Sequence, residues 1–311
     1  MYPQTQSPVS AHSKEQGESL TQMNTPAFAK LNLFLLVTGR TDNGYHTLQS
    51  LFTLIDLHDD LGFTLRQDGL IRRCTDIPGL PEADDLVVRA ARLLKEYTQT
   101  PFGVDIELVK RIPSGAGLGG GSSDAASTLL SLNQLWQTQL SSQELARLGL
   151  QLGADVPFFL FGQTAMATGV GENLVAFDLA PVYYVILRPA LFIATPSIFK
   201  DPDLVRNSPV LSDSELLQGR KELEQAKHFA RNDLEAVALK QFTDLLALIA
   251  GLRSAGFDLR MTGSGSCFFA PYLTREQAEK AKQAIELWLE QHQPSLAVEQ
   301  VLVVKGLNQR L

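Results

Sequence analysis

Between Ile112 and Ser127 the chain reads IPSGAGLGGGSSDAAS, with five glycines between Gly115 and Gly121 and helix-forming residues directly behind them. Upstream, GVDIELV alternates as a strand, with Val104, Ile106 and Leu108 on one side. Downstream, Ala125, Ala126, Leu129, Leu132 and Trp136 fall on a helical face. A glycine-rich turn from strand into helix exposes backbone N–H groups and adds the positive end of the helix dipole, so it reads as an anion site, most often for phosphate. The plain alternative is a flexible connector, but Gly/Ser linkers seldom join a strand to a helix of matching amphipathicity. Gly115, Gly117 and Gly120 satisfy GxGxxG, yet a dinucleotide fold needs an acidic residue about 20 positions on. None occurs between Asp124 and Glu144. A P-loop needs Lys and then Ser or Thr after its last glycine, whereas Gly121 and Ser122 follow Gly120. The HRD and DFG elements of a protein kinase are absent.

A chain of 311 residues with 44% hydrophobic content exceeds the size at which single cores stop growing, so two domains are expected. A formal charge of −7 argues against a nucleic-acid partner, which calls for a concentrated basic surface. Cys74 and Cys267 lie far apart and the five histidines form no HxxxH or HExxH pattern, so no metal site is indicated and a reduced, cytoplasmic setting fits. Residues 1–23, rich in Gln, Ser, Thr and Pro, read as a disordered tail without a secretory h-region. The longest apolar run, Leu31 to Val37, falls far short of the roughly 20 residues that span a bilayer, so no membrane association is expected. No obligate protein partner is indicated.

Strand and helix signals follow one another as an α+β pattern. A shift in character near residue 166 suggests domains over 24–166 and 167–311, the second containing a helical region from about Ser214 to Ala250. In FAKLNLFLLVTG, Leu31, Leu33, Leu35 and Val37 alternate against Lys30 and Asn32, giving the strand a polar face at its start. Lys30 is the lone charge between Glu18 and Arg40, and Asp155 is the lone charge between Arg147 and Glu172. An unpaired buried ion costs several kcal/mol, so each should face a partner or a wet cleft, and pairing the two is the economical hypothesis. Spacing alone leaves a second reading open, in which Lys30 snorkels and Asp155 caps a turn after Gly153.

The run PSGAGLGGGSS, Pro113 to Ser123, resembles the ATP loop of the GHMP kinase superfamily. That resemblance implies ATP as co-substrate, held by Pro113, Ser114, Gly115, Ala116, Gly117, Leu118, Gly119, Gly120, Gly121, Ser122 and Ser123, with Lys110 as a further nucleotide contact. It also implies two domains, an N-terminal ribosomal-protein-S5-domain-2-like one and a C-terminal ferredoxin-like one, with the active site in the cleft between them. The last strand is expected to pack back on the first domain. AKLNLFL, TGRTDNGYHTLQSLF, LGADVPFFL, IATPSIFKDP and RNDLE resemble one branch, the 4-diphosphocytidyl-2-C-methyl-D-erythritol kinase family of the non-mevalonate isoprenoid route. These matches run from about Asn24 to Gly306.

By that resemblance Lys30 and Asp155 are the catalytic pair, and the acceptor is a small cytidine diphosphate derivative. Tyr45 and Phe199 would sandwich the cytosine, His46 and Asn32 would hydrogen-bond its polar edge or neighbouring groups, and Thr195 would lie near the substrate's phosphate or ribose end. MTGSGSCFFA, Met261 to Ala270, matches a second Gly/Ser loop of the family. Mg²⁺ bridging the ATP phosphates is implied by the chemistry, although no carboxylate cluster announces its ligands. Asp85 departs from the family's usual Asn, which leaves the adenine contacts open. Two other readings compete: a GHMP kinase with a small acceptor such as homoserine or mevalonate, and a non-catalytic GHMP-fold ligand sensor. Tyr45, His46 and Phe199 speak against the first, since a small acceptor has no base to stack. The Lys30 and Asp155 pair speaks against the second.

Overall fold

The structure, a computed structural model, describes residues 21–42 and 44–310. Most of the stretch read as a tail, residues 1–20, lies outside the described residues, and a strand already begins at Gln22. In chain order the strands and helices are β1 (Gln22–Arg40), β2 (His46–Arg66), β3 (Ile71–Arg73), α1 (Leu86–Thr98), β4 (Gly103–Val109), α2 (Gly120–Leu135), α3 (Ser142–Leu152), α4 (Val156–Phe161), β5 (Ala165–Thr168) and β6 (Asn173–Ala176). They continue as β7 (Tyr183–Pro189), α5 (Thr195–Lys200), α6 (Asp213–Glu224), α7 (Asp233–Gln241), α8 (Thr243–Ser254), β8 (Arg260–Met261), β9 (Phe268–Tyr272), α9 (Arg275–His292) and β10 (Val298–Leu307).

The long β1–β2 hairpin is the spine of the first half. Strand β2 pairs with β4 through Asp60–Arg66 and with β5 through Ser50–Phe52, while β10 joins it at Ile55 and Leu54. The rest of β10 pairs antiparallel with β7, which pairs with β9, so one ladder runs through both halves. Residue 166 lies inside β5, which pairs with β2 and is in turn paired by β6, so the chain leaves the first sheet only after Ala176.

One apolar cluster packs α1, α2, α3 and α4 onto β2 and β4, and a second packs α7, α8 and α9 onto β7 and β9. A third lies between them, joining Leu31 and Phe34 of β1, Ala116 and Leu118 of the glycine loop, and Tyr184 and Phe269 of the second half. This third cluster decides where the loop sits. Its two apolar side chains, Ala116 and Leu118, are buried between the halves and so anchor its backbone.

Simple alternation fails in β1. The β1–β2 register shifts between Phe28 and Lys30 and between Asn32 and Phe34, and the second sets two residues of β1 against one of β2, which turns the following side chains of β1 to the other face. Leu31 and Leu33 therefore enter the third cluster while Leu35 and Val37 enter the second. From Ala27 to Val37 every residue is buried, including Lys30 and Asn32. The polar pair thus faces an enclosed site rather than solvent.

Local signals hold well in α3, where Ser141 and Glu144 form a capping box and Gly153 closes the helix. The helical region expected over 214–250 is three helices, broken at Gln225–Asn232 and again at Phe242.

Candidate active site

Gly115, Gly117 and Gly119 adopt φ of +67°, +77° and +73°, a region that side chains disfavour. The loop they form ends on the N-terminus of α2, whose N-cap, Gly119, offers no side chain to the first helical N–H groups. A 16-residue helix thus presents its positive end at the loop. Within the stretch read as the ATP site, Ser114, Gly115 and Gly121 are exposed, Gly117, Gly119 and Ser122 are half-buried, and Pro113, Ala116, Leu118, Gly120 and Ser123 are buried. Ser123 donates its hydroxyl to the Phe28 carbonyl at 2.6 Å, so it ties α2 to β1 instead of presenting an open donor.

Lys30 stands beside this loop. Its backbone N–H donates to the Leu118 carbonyl at 3.0 Å, and a Cβ on Gly119 would come within 3.2 Å of its Cγ. Its ammonium reaches Asp155 at 3.7 Å, hydrogen-bonds to Asn32 Oδ1, and lies 5.3 Å from the centre of the Phe52 ring. Asp155 occupies the N-cap position of α4 but makes no capping hydrogen bond, so of the two readings open to it the ion pair is the one realised. Its side chain is 37% exposed while that of Lys30 is 4% exposed. Burial lowers the Lys30 pKa, and Asp155 opposes that shift without cancelling it. Lys30 is therefore a cation short of compensation, next to a nest of N–H groups.

Asn32 connects this pair to the second loop. Its backbone N–H donates to Thr262 Oγ1 at 2.9 Å and its amide donates to Ser50 Oγ at 2.8 Å. Cys267 N–H donates to the Ala116 carbonyl, so the Met261–Ala270 stretch lies directly against the glycine loop.

Lys110 is committed to two carboxylates, Asp59 at 2.5 Å and Asp124 at 2.7 Å. Asp59 also accepts the backbone N–H groups of Arg111 and Ile112, and so fixes the entry to the glycine loop. A Cβ on Gly120 would lie 3.3 Å from the ammonium, which places Lys110 at the start of α2. Of its three donors, two are used on these acids. Asp124 Oδ1 is buried without a hydrogen-bond partner. Burial, opposed by Lys110 and reinforced by Asp59, pushes the Asp124 carboxyl up to about 7.

That shift has a thermodynamic signature. An unfolded Asp titrates near 4, so between about pH 4 and pH 7 the native chain keeps a proton that the unfolded chain has released. Stability from this group is complete at low pH and is lost as pH rises through that window. Asp124→Asn should flatten this part of the profile. Urea midpoints at pH 5, 6, 7 and 8 for both proteins measure it, and parallel profiles would show that Asp124 ionises normally.

Among the residues expected to bind the acceptor, the His46 and Phe199 rings meet with centroids 5.1 Å apart and planes tilted by 31°. Tyr45, next to His46, is 65% exposed. Thr195 opens α5 and shares a hydrogen bond of 2.7 Å with Ser264 of the second loop. Burial, then Arg206 and Arg40, lower the His46 pKa. Asp85 caps α1 through Val87 N–H and pairs with Arg73 at 2.8 Å, both side chains 5% exposed. The carboxylate that replaces the family's Asn is thus engaged within the fold.

Sequence reasoning missed Asp59, Asp124, Thr262 and Arg206. Asp59 carried no isolation signal, since acidic neighbours flank it, whereas Asp124 is the lone charge between Arg111 and Glu144 and bore the same mark that singles out Lys30 and Asp155.

Residues 85–163 match the GHMP kinases N terminal domain and residues 215–291 match the GHMP kinases C terminal domain. The 4-diphosphocytidyl-2-C-methyl-D-erythritol kinase of Ralstonia nicotianae is 50% identical over 254 residues, covering 82% of this chain and 86% of that protein. The protein of the same name from a Janthinobacterium species is 50% identical over 266 residues, covering 84% and 90%. A crystal structure of 4-(cytidine 5′-diphospho)-2C-methyl-D-erythritol kinase superposes with a TM-score of 0.75 at 35% identity, covering 91% of this chain and 99% of that one. A homoserine kinase from Cytophaga hutchinsonii, at 17% identity and a TM-score of 0.67, shares the fold. Identity at this level over most of both chains, on a two-part α+β fold with a glycine loop and an adjacent Lys–Asp pair, makes the chain a GHMP kinase of the 4-diphosphocytidyl-2-C-methyl-D-erythritol kinase family.

Proposed function

We propose that this protein transfers the γ-phosphoryl group of ATP to the 2-hydroxyl of 4-diphosphocytidyl-2-C-methyl-D-erythritol in the cytoplasm, a step of the non-mevalonate route to isoprenoid precursors. The observation that carries this reading is the Lys30–Asp155 pair, 3.7 Å apart and joined through the Lys30 backbone to the glycine loop. Among the described residues no helix is long and apolar enough to cross a membrane.

Phosphoryl transfer asks the protein for positioning, charge neutralisation and a group to orient the acceptor hydroxyl. The N–H groups at Gly115–Gly121 and the α2 terminus hold the triphosphate. Lys30, under-compensated by its surroundings, neutralises charge that builds on the transferring group. Asp155, the more exposed partner, takes the hydroxyl proton. Among the described residues no group of three or more His, Cys, Asp or Glu could hold a metal by itself. Such a site still fits Mg²⁺, which keeps several waters and takes most of its protein-independent ligands from ATP oxygens. The Ser122 hydroxyl, on the first turn of α2 beside the Gly153 turn, would be a protein oxygen able to share the ion. When bound, the ion neutralises β- and γ-phosphate charge. Phe199 and Tyr45 stack on the cytosine, with His46 and Asn32 at its edge.

Release of ADP from ATP and Mg²⁺ should proceed with the cytidine-bearing acceptor and not with homoserine or mevalonate. Turnover with either small acceptor alone would overturn the reading. Stacking contributes on the order of 1–3 kcal/mol per base. Phe199→Ala and Tyr45→Ala should therefore each raise the acceptor KM roughly 5- to 150-fold and leave the ATP KM near its original value. Equal rises in both would remove the stack.

A further inference from the structure

Arg206 lies in a stretch without regular structure between α5 and α6, yet it is held on both sides. Leu204 is buried in the second cluster, and Ser208 N–H donates to the Val37 carbonyl while its hydroxyl donates to Asp233. From that fixed base the guanidinium makes four hydrogen bonds. Its terminal nitrogens donate to the carbonyls of Leu204 at 3.1 Å, Phe199 at 3.0 Å and Asp201 at 2.6 Å, and its Nε donates to His46 Nε2 at 3.0 Å. Three of these close the chain that carries Phe199 around the arginine. The fourth crosses to the first residue of β2.

The crossing bond determines the chemistry of the imidazole. Arginine nitrogens only donate and do not lose their proton in proteins, so His46 Nε2 must present a lone pair. A ring that accepts at Nε2 is neutral and carries its hydrogen on Nδ1. The environment agrees: burial and the Arg206 and Arg40 guanidiniums all disfavour the imidazolium. Among the described residues, Arg206 and Arg40 are the charged groups that lower the pKa of this ring.

We propose that Arg206 is a positioning residue for acceptor recognition: it fixes His46 as the neutral Nδ1–H tautomer and ties it to the backbone of Phe199, so that base-contacting residues from the two halves form one unit. The Nδ1–H is then a fixed donor, suited to an acceptor atom on a nucleobase edge, and the cost of ordering His46 and Phe199 is met before the ligand arrives. This inference rests on the proposed acceptor site, and its test separates the two.

Long-range ¹H–¹⁵N spectra of the histidine-labelled full chain should show His46 protonated at Nδ1 and not at Nε2 across pH 6–8. Protonation at Nε2 in the unmodified protein would overturn the proposal by itself. Arg206→Met should release the tautomer to a mixture, raise the His46 pKa toward its ordinary value, and weaken cytidine 5′-diphosphate binding about tenfold or more, as expected for one lost charged hydrogen bond. The ATP KM should stay within twofold. Arg206→Lys, which keeps a donor for Nε2 but cannot span three carbonyls, should restore the tautomer and only part of the affinity. Should Arg206→Met unfold, the unmodified protein and Arg206→Lys still decide the question. Loss of ATP and cytidine diphosphate affinity in equal measure, or a released tautomer with unchanged cytidine diphosphate affinity, would overturn the proposal. A protein that binds cytidine diphosphate in this manner but does not turn over the acceptor would refute the proposed function and leave the role of Arg206 intact.

Discussion

Asp155→Asn is expected to bind ATP and the acceptor within a fewfold of the unmodified protein and to lose kcat by about 1,000-fold, inside the 10²- to 10⁴-fold range of a general base. The substitution is isosteric, and the carboxylate it removes is 37% exposed and caps nothing, so the fold has little reason to change. What changes is proton affinity. Asparagine can accept a hydrogen bond from Lys30 through its amide oxygen but cannot take a proton from a hydroxyl. A second effect follows at Lys30, whose pKa burial lowers and Asp155 supports. Without that support the ammonium deprotonates more readily, and the alkaline limb of the rate profile moves to lower pH. Single-turnover rates across pH with calorimetric binding of both ligands measure these effects together. A rate within threefold of the original would take Asp155 out of the mechanism.

The legibility of this site follows from how each residue is constrained. Lys30 and Asp155 stand out because charge within long apolar stretches is costly and needs a partner, a constraint visible along the chain. The glycine loop stands out because backbone amides that approach phosphate exclude side chains. Val104, Ile106 and Leu108 follow from strand periodicity, and all three are buried. In the Asp59–Lys110–Asp124 cluster, Asp124 is marked as the lone charge between Arg111 and Glu144, but Asp59 and Lys110 sit beside other charges, and the pairing across 51 and 14 positions depends on the β2–β4 register. The register shifts in β1 depend on partners across the sheet and leave no local mark. Thr262 reaches Asn32 over 230 positions, and Arg206 reaches His46 over 160. Long-range hydrogen bonds between small polar groups have no periodicity, so single-chain reading has nothing to detect them by.

The contact between the two loops makes Gly117 the most sensitive position of the cradle. Its φ is +77°, and a Cβ there would lie 2.4 Å from the Thr262 carbonyl oxygen and 3.2 Å from that of Gly265. Both atoms are backbone and cannot swing aside as a side-chain end would. Gly117→Ala must therefore push the loops apart, and the displacement does not stop there. Thr262 holds the Asn32 backbone, Gly263 lies against Asn32 Oδ1, and Asn32 holds the Lys30 ammonium. The expected result is a loss of kcat/KM for ATP of 10²-fold or more, since misplacing catalytic groups by about 1 Å can cost that much. Gly79→Ala supplies the control. Its φ is +78°, nearly the same, but nothing lies within 4 Å of the added carbon. Left-handed backbone strain alone costs roughly 1–2 kcal/mol, so both variants should lose stability in urea while only Gly117→Ala loses activity. If the two behave alike, conformational strain accounts for the glycine and close approach of the loops does not. If they diverge as expected, the glycine at 117 is required by the Thr262 carbonyl facing it, and the second loop counts as the outer wall of the nucleotide cradle.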